Sequence, residues 1–187
     1  MNKKYELTAE TKVVFGVTLH RIKAIVDFEL KCGIKINAGD LGGWIEKEEN
    51  LDQSGNAWVY GNARVYGDAW VYGNARVSGN AWVYGDARVS GDAWVYGNAR
   101  VSGDAWVYGN ARVYKQTHWL SIGPIGSRFG FTTFFRTENC EIFVSCGCFL
   151  GNIDTFLEKV QKTHGDNKHA IAYRAAAEIA KGHIDLS

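Results

Sequence analysis

The sequence predicts a mainly β protein: a solenoid of short strands, a small N-terminal β cap and a C-terminal ββαα module. Three observations predict it. Residues 55–114 read as ten consecutive hexads, Gly-(Asn/Asp)-Ala-(Trp/Arg)-Val-(Tyr/Ser), without an insertion or a deletion. The chain holds 22 glycines against one proline, and regularly spaced glycine corners account for that imbalance. The composition changes on both sides of the repeat, so non-repeating ends flank it. The expected units are a cap over residues 1–36, the repeat with its lead-in over 37–114, and an α+β module over 115–187.

The N-terminal residues come first. Lys12–Ile22 alternates in the manner of a hairpin turning near Gly16, and Ala38–Ile45 leads into the repeat. A solenoid leaves unpaired strand edges and an open core at each end, so capping segments are required.

Within a hexad, Ala-x-Val places Ala and Val on one side of an extended segment and their neighbours on the other. Ala57 and Val59 are thus expected inside, with Trp58 and Tyr60 outside. Gly-Asn and Gly-Asp tolerate the positive φ of a sharp corner. Three hexads to a coil would stack residues eighteen apart. One face then carries Trp58, Arg76, Trp94 and Arg112; the second Arg64, Trp82 and Arg100; the third Trp70, Arg88 and Trp106. With coils roughly 4.8 Å apart, each Arg inside a stack lies over an indole, a pair of about 0.5–1 kcal/mol when exposed. One corner stacks Asp68, Asp86 and Asp104, whose mutual repulsion raises their pKa values or recruits a cation unless nearby arginines relieve it. We read the ladders and corners as structural, with an aromatic platform for glycans as the alternative.

After the repeat, Gly123–Arg128 reads as a loop, and Phe131–Arg136 and Glu141–Cys146 read as strands joined through Glu138-Asn139. Asn152 or Asp154 caps a helix that His164-Gly165 ends. Asp166-Asn167 opens a second helix with Ile171, Ala175 and Ile179 on one stripe. Cys140, Cys146 and Cys148 with His164 lack the spacing of a zinc set, so buried, inert thiols are expected.

The hexads resemble the repeat of left-handed parallel β-helices, and the resemblance supplies both the handedness and the three-hexad coil. Gly39-Asp40-Leu41-Gly42-Gly43-Trp44, Ile122–Arg128 and Cys146-Gly147-Cys148-Phe149 extend the likeness to uncharacterised phage and prophage hexapeptide-repeat proteins. The best-known enzymes with this repeat are acyltransferases, whose catalytic His lies on or beside the coils. Here no histidine occurs between His20 and His118, and the ten hexads carry no protruding loop. The same absence of histidine speaks against γ-type carbonic anhydrases.

The formal charge of +1 gives no overall basic footprint, so direct DNA binding is not expected. Aromatic residues at 13% and hydrophobic residues at 46% exclude a disordered chain. No apolar run is long enough to span a bilayer, the charged start lacks the apolar stretch of a signal peptide, and four cysteines read as reduced thiols. A cytoplasmic protein is expected, in the host cytoplasm if phage-encoded.

No pattern assigns a catalytic residue, a metal ligand or a cofactor. The expected ligand site is built on the Gly123–Arg128 loop. Gly126, Ser127 and Arg128 can offer backbone N–H groups, a hydroxyl and a guanidinium to an anion. Arg136, Lys162, His164 and Lys168 would add positive charge, and Phe131, Phe134 or Tyr173 would stack a base. The reading is a non-enzymatic binding protein for a small phosphorylated or nucleotide ligand, such as a host defence signal to be sequestered. An acyltransferase and a structural or glycan- or protein-binding rod are the alternatives. Five Trp and seven Tyr on the outside of the repeat mark an interface. Related β-helices trimerise, so a homotrimer is expected.

Overall fold

The computed structural model describes residues 3–187, so Met1 and Asn2 of the expected cap lie outside it. Strands β1 (Tyr5–Val14) and β2 (Val17–Ala24) form the expected hairpin, turning at Phe15-Gly16. The short pair β3 (Phe28–Glu29) and β4 (Lys35–Ile36) follows, and then β5 (Leu41–Ile45). Ten two-residue strands, β6 (Trp58–Val59) to β15 (Arg112–Val113), recur every six residues as a β-solenoid. Their parallel pairing joins Trp82 to both Arg64 and Arg100, Trp94 to Arg76 and Arg112, and Arg88 to Trp70 and Trp106. The eighteen-residue stacking is therefore the observed register. Sheet pairing runs on through the N-terminal strands, in the order β1-β2-β5 and then the second face of the solenoid.

Every Ala and Val of the hexads is buried, and together they form one continuous core. The narrow prism admits nothing larger. All ten corner glycines have φ between 63° and 70°. A Cβ at Gly91 would lie 2.9 Å from the backbone nitrogen of Gly109, so the corner demands glycine for space as well as conformation. Outside, Arg64 and Arg100 each sit 4.7 Å from the Trp82 ring, with Arg76 over Trp94 at 4.4 Å and Arg88 over Trp106 at 4.8 Å.

The coil-to-coil hydrogen bonds have a direction. N–H groups of one coil donate to carbonyls of the next, as in Asn56 to Gly73, Trp58 to Ala75 and Tyr60 to Val77. The first coil is left with surplus carbonyls and the last with surplus N–H groups. The two ends answer in kind. Lys4 Nζ donates to the carbonyls of Ala57 (2.8 Å) and Gly55 (3.3 Å), and Asn50 Nδ2 to those of Gly67 and Ala69, both at 2.9 Å. At the other end, Gln116 Oε1 accepts from Arg100 N–H, Thr133 Oγ1 from Trp106 N–H and His118 Nδ1 from Tyr114 N–H. Side contacts tie the ends to the coils: Lys31 pairs with Asp92 at 2.5 Å and Arg112 with Glu138 at 2.5 Å.

The C-terminal module is a four-stranded antiparallel sheet, β16 (Trp119–Ile125), β17 (Gly130–Arg136), β18 (Ile142–Cys146) and β19 (Phe149–Asn152), with helices α1 (Ile153–His164) and α2 (Lys168–His183). Asn152 caps α1 through Thr155 N–H, and Asn167 caps α2. Among the described residues, no helix is long and apolar enough to cross a membrane.

Four expectations are corrected. Gly123-Pro124 belongs to strand β16, because an edge strand with a bulge tolerates proline. Trp58 faces out of the coil but is buried, covered by Tyr5 and Phe28 of the N-terminal strands. Ile171, Ala175 and Ile179 are exposed; α2 packs through Ala170, Tyr173, Ala177 and Ala180 instead. Asp68 pairs with Lys47 at 2.7 Å, which holds its carboxyl below the ordinary value rather than above it.

His118 gives a pH test of the C-terminal end. Its ring is fully buried, and burial, followed by Arg136 and Lys115, holds it below its ordinary 6.5. The folded chain then binds fewer protons there than the unfolded chain. The stability that His118 gives is complete above that ordinary value and declines as pH falls below it. His118→Asn keeps an acceptor near Nδ1 and cannot titrate. Urea unfolding between about pH 7 and 5 should show a decline for the native chain and a flatter profile for the variant. Equal slopes would remove His118 from this role.

Candidate functional site

The hairpin turn between β16 and β17 faces helix α1 across a cavity of about 310 Å³. Four segments build it. Ser127, Arg128, Gly130 and Phe131 come from the turn, and Cys146, Gly147, Cys148 and Phe149 from the β18–β19 turn. Helix α1 contributes Phe156, Lys159, Val160, Thr163 and His164, and α2 contributes Tyr173. The helix residues lie at i, i+3, i+4, i+7 and i+8, one stripe of α1 set by the Asn152 cap.

The lining divides into aromatic surface and positive charge. Tyr173 meets Phe156 edge to face at 5.6 Å and His164 at 5.8 Å, and Phe149 lies 5.5 Å from Phe156. Arg128 and Lys159 are exposed at the mouth, with Lys159 Nζ 5.1 Å from the Phe149 ring. Burial, then the neighbouring Cys146 by charge and hydrogen bond, pushes the Tyr173 hydroxyl up to about 12. It therefore keeps its proton at neutral pH and remains a donor. Such a lining can hold a flat ring between aromatic faces and an anion at the cationic rim.

Of the residues expected in the site, Ser127, Arg128, Phe131, His164 and Tyr173 are brought together here. Gly126 stands behind them with φ +77°, and a Cβ there would fall 1.8 Å from the Tyr173 hydroxyl oxygen. Its missing side chain is what lets Tyr173 reach the turn. Arg136, Lys162 and Lys168 do not line the cavity. Arg136 is five residues from Phe131 along β17, about 16 Å for an extended strand. It is buried instead, over the Tyr114 ring at 5.4 Å and donating to Cys140 Sγ at 3.0 Å. Lys162 is exposed on α1 outside the lining stripe, and Lys168 is exposed at the first turn of α2. Phe134, named as a stacking candidate, is buried in the module core against Phe156.

The thiols also differ from expectation. Cys140 and Cys148 are exposed and Cys146 is half-buried, because two of them occupy turns. Cys140 takes a left-handed backbone between β17 and β18, and Cys148 follows Gly147 in a tight turn. Cys146 Sγ accepts from Thr132 Oγ1 at 3.3 Å. Among the described residues, no three His, Cys, Asp or Glu side chains are grouped as a metal ion would need.

Gly126→Ala tests the wall of the cavity. It should displace Tyr173 and speed amide exchange in α2 while leaving the solenoid amides unchanged, read by hydrogen-exchange mass spectrometry. Unchanged exchange in α2 would mean that the turn adjusts without cost.

Comparison with known proteins bears on the scaffold. No curated protein matches the chain. A family model described as the YdcK beta solenoid repeat matches residues 57–73, 69–85, 81–97 and 93–109. The matched windows advance by twelve residues, the spacing of successive Trp residues along the repeat, and none reaches the cavity. The repeat region is thus a β-solenoid by both its pairing and its family match.

Proposed function

We propose that the chain is a non-enzymatic binding protein whose C-terminal module, set on the end of the solenoid, carries a pocket for a small phosphorylated or nucleotide ligand. One observation carries the reading: a cavity of about 310 Å³ has Phe131, Phe149, Phe156 and Tyr173 on its walls and Arg128, Lys159 and His164 around them. A base fits the aromatic part, and a phosphate fits the Arg128 side. The finer form, sequestration of a host signal by a phage or prophage protein in the host cytoplasm, takes its setting from the resemblance of the flanking motifs. Acyl transfer is the second class of activity, with His164 of the cavity lining as its candidate base. A structural rod is the third.

Arg128 is the residue to change. Arg128→Ala should cost roughly 1.5–3 kcal/mol of affinity for a nucleoside diphosphate, and Arg128→Lys should recover only part of it. Because the side chain is exposed, the melting temperature without ligand should stay nearly constant. Lost stability with unchanged affinity would reassign Arg128 to structure and leave the rod as the better reading.

The homotrimer is the second part of the proposal. Trp70 and Trp106 are each 39% exposed on the third face of the solenoid, on either side of exposed Arg88. Aromatic surface of this kind favours a partner. Light scattering at micromolar concentration should give three times the chain mass of 20.8 kDa, and a lone 20.8 kDa species would end the claim.

A further inference from the structure

The β1–β2 hairpin does not stand clear of the solenoid. Its tip residue Phe15 lies 5.5 Å from the Trp82 ring, so the arm leans along the second face over Trp44 and Arg64. Cations gather beneath it. Lys12 Nζ is 3.9 Å from the centre of the Trp44 ring and the Arg21 guanidinium is 5.3 Å from it, while Arg64 is paired in register with Trp44. Against these three positive, half-buried side chains stands one carboxylate, Glu10, 3.5 Å from Arg21. Two donors in the same place are buried without a partner among the described residues, Trp44 Nε1 and Arg64 Nε.

Indole rings disperse part of this charge but accept no hydrogen bond from a guanidinium edge. Half-buried cations in excess of carboxylates, beside orphaned N–H donors, are the environment of an anion site.

We propose that Lys12, Arg21 and Arg64 form a second anion site beside Trp44, distinct from the cavity of the C-terminal module, which takes a tetrahedral dianion of the phosphate class. Its pH response follows from its neighbours. Burial, then Arg64 and Arg21, lowers the Lys12 ammonium to about 8, with Glu10 opposing. Arg21 faces it from β2, Glu10 from β1, Arg64 from the solenoid, and Trp44 of β5 adds no charge. A bound dianion restores the Lys12 proton, so binding weakens as pH rises through that value.

The probe is inorganic sulfate, a dianion that does not titrate near neutral pH, added to the full chain carrying Arg128→Ala so that the cavity is disabled. The indole N–H resonance of Trp44 should shift saturably in ¹H–¹⁵N spectra, beyond the effect of chloride at equal ionic strength. Lys12→Gln should raise the half-saturation concentration about tenfold at neutral pH. Raising the pH to about 9 should weaken binding to the parent chain, whereas Lys12→Arg should bind equally at both pH values because its charge persists. The melting temperature of each variant confirms that it folds. A Trp44 resonance that ignores sulfate, follows chloride equally, or shifts identically in Lys12→Gln overturns the proposal. Each outcome is independent of whether the cavity binds its own ligand.

Discussion

A ladder of hydrogen bonds with a direction is the constraint on which this structure depends. Each coil gives N–H groups to the carbonyls of the next, so a repeat of any length ends with unlike surpluses. Lys4 and Asn50 supply donors where carbonyls are left over, and Gln116, Thr133 and His118 supply acceptors where N–H groups are left over. An unpaired backbone group in a buried ladder end costs about 1–3 kcal/mol, so several together would outweigh the small core contribution of one Ala-Val coil. The non-repeating segments are therefore part of the solenoid's stability as well as its boundary.

The same constraint separates scaffold from chemistry. The prism is filled by Ala and Val, and its corners are fixed as glycine, so the coils have no interior room for a ligand. Pockets arise where irregular chain meets regular chain or folds on itself. The C-terminal cavity forms between two hairpin turns and a helix stripe, and the cationic cluster forms where the N-terminal hairpin leans on the second face. The Trp-Arg ladder contributes to the N-terminal cluster. Inside it each guanidinium has an indole, and at its N-terminal end Trp44 meets Lys12 and Arg21 instead.

The sequence made the repeat legible because its physics is local. Six residues define a strand and a corner, and the period of Trp and Arg then assigns which side chains stack. The hairpin at Gly16 and the Asn152 and Asn167 caps were legible for the same reason. The site was legible only in part. Gly126, Ser127 and Arg128 mark a turn by composition, but the opposite wall is a stripe of α1, and Lys159 and Phe156 belong to it by helical spacing from His164. That spacing is present in the sequence, but nothing in it says that the stripe faces the turn. Arg136 shows the opposite failure: Phe131–Arg136 reads as a strand, and the length of an extended strand already sets its two ends too far apart to share one site. The exposure of Ile171 and Ile179 was illegible, because α2 packs through alanines whose small side chains let the helix approach the sheet. Periodicity of large residues alone then selects the wrong face.

Native-state amide hydrogen exchange across a denaturant series tests the directional ladder most directly. Ladder amides of the first, middle and last coils should converge on one opening free energy, because both ends are satisfied by the flanking segments. Arg100, Trp106 and Tyr114, whose N–H groups meet side-chain acceptors, should share the protection of Trp82 and Trp94. Near-zero protection at those three amides, with the middle coils still closed, would show that the solenoid frays at its end and that the flanking acceptors do not hold it.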